Sequence, residues 1–175
     1  KIDLIINNAG SLIYENEAIN NSKTIKLNYL SHIYLTEKLL RKIKKSNERK
    51  IIFISSHVHK NIYLNDNIFK NKKTYSSWKL YKLSKLFLNT YAAYLNNKNL
   101  KINIYSINPG RLSSDFKLEN YIFLSYLIKF YLYIFGSNLK KVSTKILKLI
   151  LNNRNNKKKI YFDIDRETYP HHICN

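Results

Sequence analysis

The chain has 175 residues, enough for one domain with a real core, and its 45% hydrophobic content excludes a disordered chain. A formal net charge of +20 raises the question of a polyanion partner, either nucleic acid or an anionic membrane surface. Lysine, asparagine and isoleucine are inflated together, whereas arginine, whose planar fork suits phosphate, numbers only 5; the charge therefore reads as compositional drift, and nucleic acid is not expected as a partner.

In chain order, apolar runs alternate with helical periodicities, the pattern of an α/β fold with a parallel sheet. Ile2–Asn7 is a short apolar run ending in Asn7-Asn8-Ala9-Gly10, a buried strand entering a turn. From about Ser22 to Lys45, residues Ile25, Tyr29, Ile33, Leu39, Leu40 and Ile43 recur at helical spacing. Lys50–Ser55 is a second buried strand, and 57–75 reads as a long polar loop. A helix follows over roughly Ser76–Asn96, with Leu80, Leu83, Phe87, Tyr91 and Tyr94 as its apolar stripe. Leu100–Ile107 alternates and closes on Asn108-Pro109-Gly110, a third strand and turn. Tyr121–Phe135 is strongly apolar and aromatic, 139–151 is a short amphipathic helix, and Ile160–Ile164 is a final strand.

The strongest local signal is Tyr81-Lys82-Leu83-Ser84-Lys85. A tyrosine and a lysine four residues apart share one helix face. A nearby ammonium favours the phenolate and brings the tyrosine toward the range useful for proton transfer. In a chain with 15 tyrosines the spacing alone is weak. Its surroundings give it weight. Asn7-Asn8-Ala9-Gly10, Ser55-Ser56 and Asn108-Pro109-Gly110 all lie at strand ends, with Asn28 in the intervening helix, and ligands of parallel α/β sheets bind outside the carboxyl ends of the strands.

This ordered set, NNAG, Asn28, Ser56, Tyr81 and Lys85, then Pro109-Gly110, resembles the short-chain dehydrogenase/reductase family over nearly the whole chain. The resemblance implies the C-terminal part of a Rossmann-like doubly wound parallel sheet, and a single partial domain over residues 1–175 holding the catalytic half. It implies Tyr81 as general acid/base, and Lys85 as the residue that lowers its pKa and hydrogen-bonds the nicotinamide ribose. Ser56 would hold and polarise the reacting oxygen, and Asn28 would fix the helix and a water of the proton relay. Asn8, Ala9 and Gly10 would lie along the adenosine side of the cofactor, NADP or NAD, with NADP preferred. Pro109, Gly110 and Ser114 would flank the nicotinamide.

Ser56 and Tyr81 are 25 residues apart, a longer spacing than the resemblance implies for many family members. With Ser55-Ser56-His57-Val58-His59, this resembles the retinol dehydrogenase-like and protochlorophyllide reductase-like groups, and the former is preferred. The implied substrate is a small hydrophobic alcohol or carbonyl, and the implied assembly is a homodimer through the helices at 22–45 and 76–96.

Part of the family pattern lies outside these residues. With glycine only at Gly10, Gly110 and Gly136, no glycine-rich pyrophosphate turn is present. In the family order three strands and their helices would precede Ile2, which would leave Ile2–Asn7 an uncovered apolar edge. The chain also lacks methionine. These features lead to the expectation that the chain is a fragment of a longer enzyme. The alternative is a catalytically dead remnant acting as a basic membrane- or nucleic-acid-associated module.

The remaining features are read more plainly. Residues 121–135 are too short to span a bilayer and leave two readings open, a substrate lid or peripheral membrane contact on one side and a buried helix on the other. His57, His59, His171, His172 and Cys174 lack zinc spacing and read as surface groups, so no metal is expected. One cysteine fits a reducing compartment, and no signal-peptide pattern opens the chain. The expected location is the cytoplasm or the cytosolic face of a membrane, not secretion.

Overall fold

The computed structural model describes residues 1–62, 68–69, 73–110, 133, 137–152 and 161–164. Their elements are β1 (Leu4–Asn7), β2 (Asn16–Glu17), α1 (Lys23–Ile25), a π-helical turn (Lys26–Leu30) and α2 (Ser31–Ile43). Then come β3 (Lys50–Ile54), a 3-10 turn (His57–Asn61), β4 (Tyr75–Ser76), α3 (Ser77–Asn97), β5 (Asn103–Asn108), α4 (Leu139–Asn152) and β6 (Tyr161–Asp163).

Four strands form a parallel sheet in the order β1-β3-β5-β6. Ile6 pairs with Ile52, Ile52 with Tyr105, and Ile107 with Phe162. Helices cover both faces, as the sequence led one to expect. On one face Leu88, Tyr91, Ala92 and Leu95 of α3 and Ile43 of α2 pack on Ile5, Ile51, Phe53 and Ile104. On the other, Val142 and Ile150 of α4 pack on Ile52, Tyr105, Ile107 and Phe162.

This double cover explains why the expected alternation of the third strand is absent. Residues Ile104–Asn108 of β5 are all buried, because a central parallel strand has no solvent side. The edge strand β1 does alternate. Ile5 and Asn7 are buried, while Leu4 is 36% and Ile6 50% exposed. Those two side chains share the face of Ile52, where α4 packs over β3, β5 and β6.

Three further departures have local causes. The helical periodicity around Asn28 is real, but the helix opens into a π turn there. The apolar stripe of α3 continues from Tyr91 to Leu95, and Tyr94 is exposed with the Lys98 ammonium 4.3 Å from its ring centroid. The polar stretch after Ser56 begins in the 3-10 turn and ends in β4, which pairs antiparallel with β2. That two-residue ribbon has no hydrophobic period to announce it.

Glu15 braces the helix start. Its carboxylate accepts hydrogen bonds from Ser22 Oγ (2.6 Å), Lys23 N (2.8 Å) and Thr24 N (3.0 Å), where N–H groups lack intrahelical partners. Its own backbone is tied to α3, since Glu15 N donates to Ser77 Oγ and Ser77 Oγ donates to Glu15 O, both at 2.8 Å.

Candidate active site

The carboxyl ends of β1, β3 and β5 deliver Asn8-Ala9-Gly10, Ser55-Ser56 and Pro109-Gly110 to one end of the sheet. The first half of α3 carries Tyr81 and Lys85 along that end, and the π turn brings Asn28 in behind them.

Asn28 is completely buried and fully engaged. Its Oδ1 accepts from Ser11 N at 2.9 Å, and its Nδ2 donates to Ser11 O at 2.9 Å and to Ser84 Oγ at 3.1 Å. Ser84 Oγ in turn donates to the Tyr81 carbonyl at 2.7 Å. One amide therefore pairs with the backbone after Gly10 as a strand would, and locks that backbone to the turn of α3 bearing Tyr81. The π turn, a feature common at functional positions in helices, carries this amide.

Lys85 is 5% exposed, and Nζ donates to the Ile54 carbonyl at 3.0 Å. Ser55 Oγ donates back to the Lys85 carbonyl at 3.4 Å. Burial lowers the lysine from 10.5 to about 8. Its Nζ lies 5.6 Å from the centroid of the Tyr81 ring.

Burial pushes the Tyr81 phenol above its ordinary value, while its hydrogen bond with the Ser56 hydroxyl pulls it back. In this balance burial outweighs the Ser56 hydrogen bond. Tyr81 is a proton-bearing phenol, with Trp78 stacked on it at 5.7 Å and an interplanar angle of 13°.

Gly10 packs closely against the site, where a side chain would crowd its neighbours. A Cβ there would stand 3.2 Å from Asn28 Oδ1 and 3.5 Å from Lys85 Nζ. The Lys85 ammonium beside the Ser56 and Tyr81 hydroxyls is a donor set that fits a hydroxyl-rich group such as a nucleotide ribose. Gly110 has φ 84°, a conformation glycine adopts without strain, and its N–H donates to Asn108 Oδ1 at 3.2 Å. Asn108 Nδ2 donates to Asp163 Oδ1 at 2.9 Å.

The structure brings Asn28, Ser56, Tyr81, Lys85 and Gly10 together. Asn8 and Ala9 lie in the same segment after β1, and Pro109 and Gly110 close β5. Ser114 lies outside the described residues, as do 121–132, His171, His172 and Cys174.

Sequence reasoning missed several supporting groups. Ser84 and the carbonyl of Ile54 carry no signal at the level of motif. His32, one turn beyond Asn28, meets the Ala9 carbonyl through Nε2 at 2.7 Å. Burial holds its imidazole below the usual range, the Ala9 carbonyl opposes that, and Lys85 adds to it. His57 is exposed as expected, but His59 is buried, a correction explained by its packing on β6. Among the described residues no group of three His, Cys, Asp or Glu could hold a metal ion.

The short chain dehydrogenase family model matches residues 1–121. Retinol dehydrogenase 11 of Mus musculus is 32% identical over 118 residues, covering 65% of this chain and 37% of that protein. The Homo sapiens protein of the same name is 30% identical over 118 residues with the same coverage. The match thus spans little more than a third of these curated relatives.

Among solved structures, a short-chain dehydrogenase/reductase of unknown function from Caenorhabditis elegans, determined with cofactor, has a TM-score of 0.66 at 21% identity. That superposition covers 93% of this chain and 64% of the other. NADPH-bound carbonyl reductase from chicken fatty liver has a TM-score of 0.63 at 20% identity, covering 94% and 64%. These likenesses concern the fold. The family match over the strands and helices that build this cleft places the chain in the short-chain dehydrogenase family.

Proposed function

We propose that residues 1–175 form one partial Rossmann-like domain, the catalytic half of an NAD(P)-dependent oxidoreductase. It interconverts a small hydrophobic, retinol-like alcohol and its carbonyl. The observation that carries this reading is the linkage from part-buried Ser56 through part-buried Tyr81 to buried Lys85, held at the end of β3.

In this reading the substrate oxygen sits between the Ser56 hydroxyl and the Tyr81 phenol. When bound, the dinucleotide supplies or accepts the hydride. In reduction Tyr81 gives its proton to the carbonyl oxygen; in oxidation it takes the alcohol proton. The Ser56 O–H polarises that oxygen where negative charge develops. Lys85 presents its remaining N–H donors to the nicotinamide ribose and stabilises Tyr81 when it has lost its proton. Asn28 holds the strap after Gly10 and the Tyr81 turn at a fixed separation. Asn8, Ala9 and Gly10 lie along the adenosine side, while Pro109, Gly110 and Ser114 flank the nicotinamide.

NADP is preferred over NAD, a choice supported by the NADPH in the chicken carbonyl reductase. The apolar substrate is supported by the names of the two curated relatives and by Trp78, half exposed beside Tyr81. A homodimer through α2 and α3 would cover Tyr34, Leu35 and Tyr94, which are exposed. No helix among the described residues is long and apolar enough to cross a membrane. Peripheral contact through 121–135 and a place in the cytoplasm or on the cytosolic face of a membrane complete the reading.

A catalytically dead remnant is the weaker reading. It would have no use for a buried lysine, whose desolvation opposes folding. The test is a nicotinamide absorbance assay on the full-length protein containing this chain, with retinol and either NADP or NAD. Reduced nicotinamide and retinal should form in equal amounts, faster with NADP. Absence of turnover with both dinucleotides would contradict the proposal.

A further inference from the structure

Ser56 is held by the 3-10 turn that follows it as well. Its Oγ accepts from Val58 N at 3.5 Å, and its carbonyl oxygen meets His59 Nδ1 at 2.5 Å. The His59 ring is buried edge-on against Tyr161 of β6, with centroids 5.0 Å apart and planes at 67°. Around it, Lys60 Nζ lies 4.0 Å from Asp163 Oδ2 and 5.9 Å from the Tyr161 ring centroid. Burial keeps the His59 imidazole below its ordinary range. The Ser56 carbonyl and Asp163 oppose that shift, while Lys60 and His57 reinforce it. A carbonyl oxygen only accepts, so the imidazole proton in this contact is on Nδ1.

We propose that His59 is the positioning residue for Ser56, its Nδ1–H bound to the Ser56 carbonyl and its ring wedged against Tyr161, so that the Ser56 hydroxyl stays aimed at Tyr81. The proposal rests on the reading of Ser56 as the group that holds the reacting oxygen. Two peptide planes set the direction of the Ser56 side chain. On the preceding side Ser55 is anchored, its N–H on the Ile107 carbonyl at 2.8 Å and its hydroxyl on the Lys85 carbonyl at 3.4 Å. The following one leaves the sheet, with Ser56 at φ −157° and ψ 153°, and needs another anchor. His59 supplies it from only three residues away, and Tyr161 keeps the imidazole from swinging out. The last described strand, more than a hundred residues downstream, thereby helps to set the substrate-oxygen site.

Three substitutions in the full-length protein separate the donor from the ring. His59→Asn places an N–H near the position of Nδ1. His59→Gln places it farther out, and His59→Phe keeps an aromatic edge on Tyr161 with no donor. With retinol and NADP, His59→Phe and His59→Gln should lower kcat about tenfold to a hundredfold, the range expected for a misplaced reacting group, with KM for NADP changed less than about threefold. His59→Asn should recover most of the loss. Independently of turnover, nitrogen-15 NMR of the wild-type imidazole should show the neutral Nδ1–H form at neutral pH.

Wild-type kcat in His59→Phe, equal impairment of the Asn and Phe variants, or an Nε2–H or doubly protonated imidazole would each overturn the proposal. Should His59→Phe fail to fold, the Asn–Gln comparison and the NMR form decide. Inactivity of the wild-type protein would instead overturn the reading of the site itself, whereas an active wild type with an indifferent His59 sinks only the present inference.

Discussion

Lys85 Nζ donates a hydrogen bond to the Ile54 carbonyl at 3.0 Å, and so joins the middle of α3 to the last residue of β3. The contact seats a cation where desolvation disfavours it. Lys85 falls from 10.5 to about 8, so between those values the folded chain binds less proton than the unfolded one. The destabilisation is complete below pH 8 and fades as pH rises toward 10.5.

Lys85→Met should therefore stabilise the fold at neutral pH while abolishing turnover. The desolvation released is on the order of 3 kcal/mol, from which the unpartnered Ile54 carbonyl takes back about 1–2 kcal/mol. Urea midpoints should show the variant ahead at neutral pH and its advantage shrinking as the solution is made alkaline. A variant less stable than wild type at every pH would show that the lysine is better accommodated than its burial indicates.

Gly10→Ala tests the close packing of Gly10 beside Asn28. The new methyl would stand 3.2 Å from Asn28 Oδ1, an atom already committed to Ser11 N. The amide has to shift and weaken that bond, at a cost of about 1–2 kcal/mol. In the full-length protein the methyl would also crowd the segment proposed to lie along the adenosine side of the dinucleotide. The expected result is a modest fall in the urea midpoint with a much larger rise in KM for NADP. A fall in stability with unchanged KM would place the dinucleotide elsewhere.

Glu15→Gln tests the brace at the helix start. Burial tends to raise the Glu15 pKa, but hydrogen bonds from Ser22, Thr24 and Lys23 outweigh it and hold it below 4.5. A depressed carboxyl stabilises the fold above its unfolded pKa, and this contribution is lost as pH falls through the folded value. The substitution should cost about 1 kcal/mol at neutral pH, the usual worth of a helix-end cap. Its difference from wild type should close in acid. Equal differences at neutral and acid pH would mean that the charge contributes nothing.

The strands were legible because parallel sheets write themselves as continuous apolar runs; Ile51, Ile52 and Phe53 point to both faces, and all are buried. Tyr81, Lys85, Asn28 and Ser56 were legible from their order along the chain. The π turn was not, since one added residue in a helical turn leaves the apolar spacing of Ile25, Tyr29 and Ile33 nearly intact. Nor was the β2–β4 ribbon, two residues long and held through backbone bonds. His59 was misread because its burial depends on Tyr161, which is distant in sequence. Spacing places Lys85 near the phenol, whereas its bond to the Ile54 carbonyl depends on how α3 packs against β3 and carries no signal in the sequence.

The most direct test of the account is Tyr81→Phe in the full-length protein, assayed by formation of reduced nicotinamide from NADP and retinol. The ring, its stacking on Trp78 and the fold should persist, while the single proton-transferring oxygen is lost. The account predicts that kcat falls by about 10²–10⁴-fold, the usual contribution of a positioned acid/base, with an unchanged thermal melt. Turnover within a few-fold of wild type would contradict it, because proton transfer would then have to come from another group.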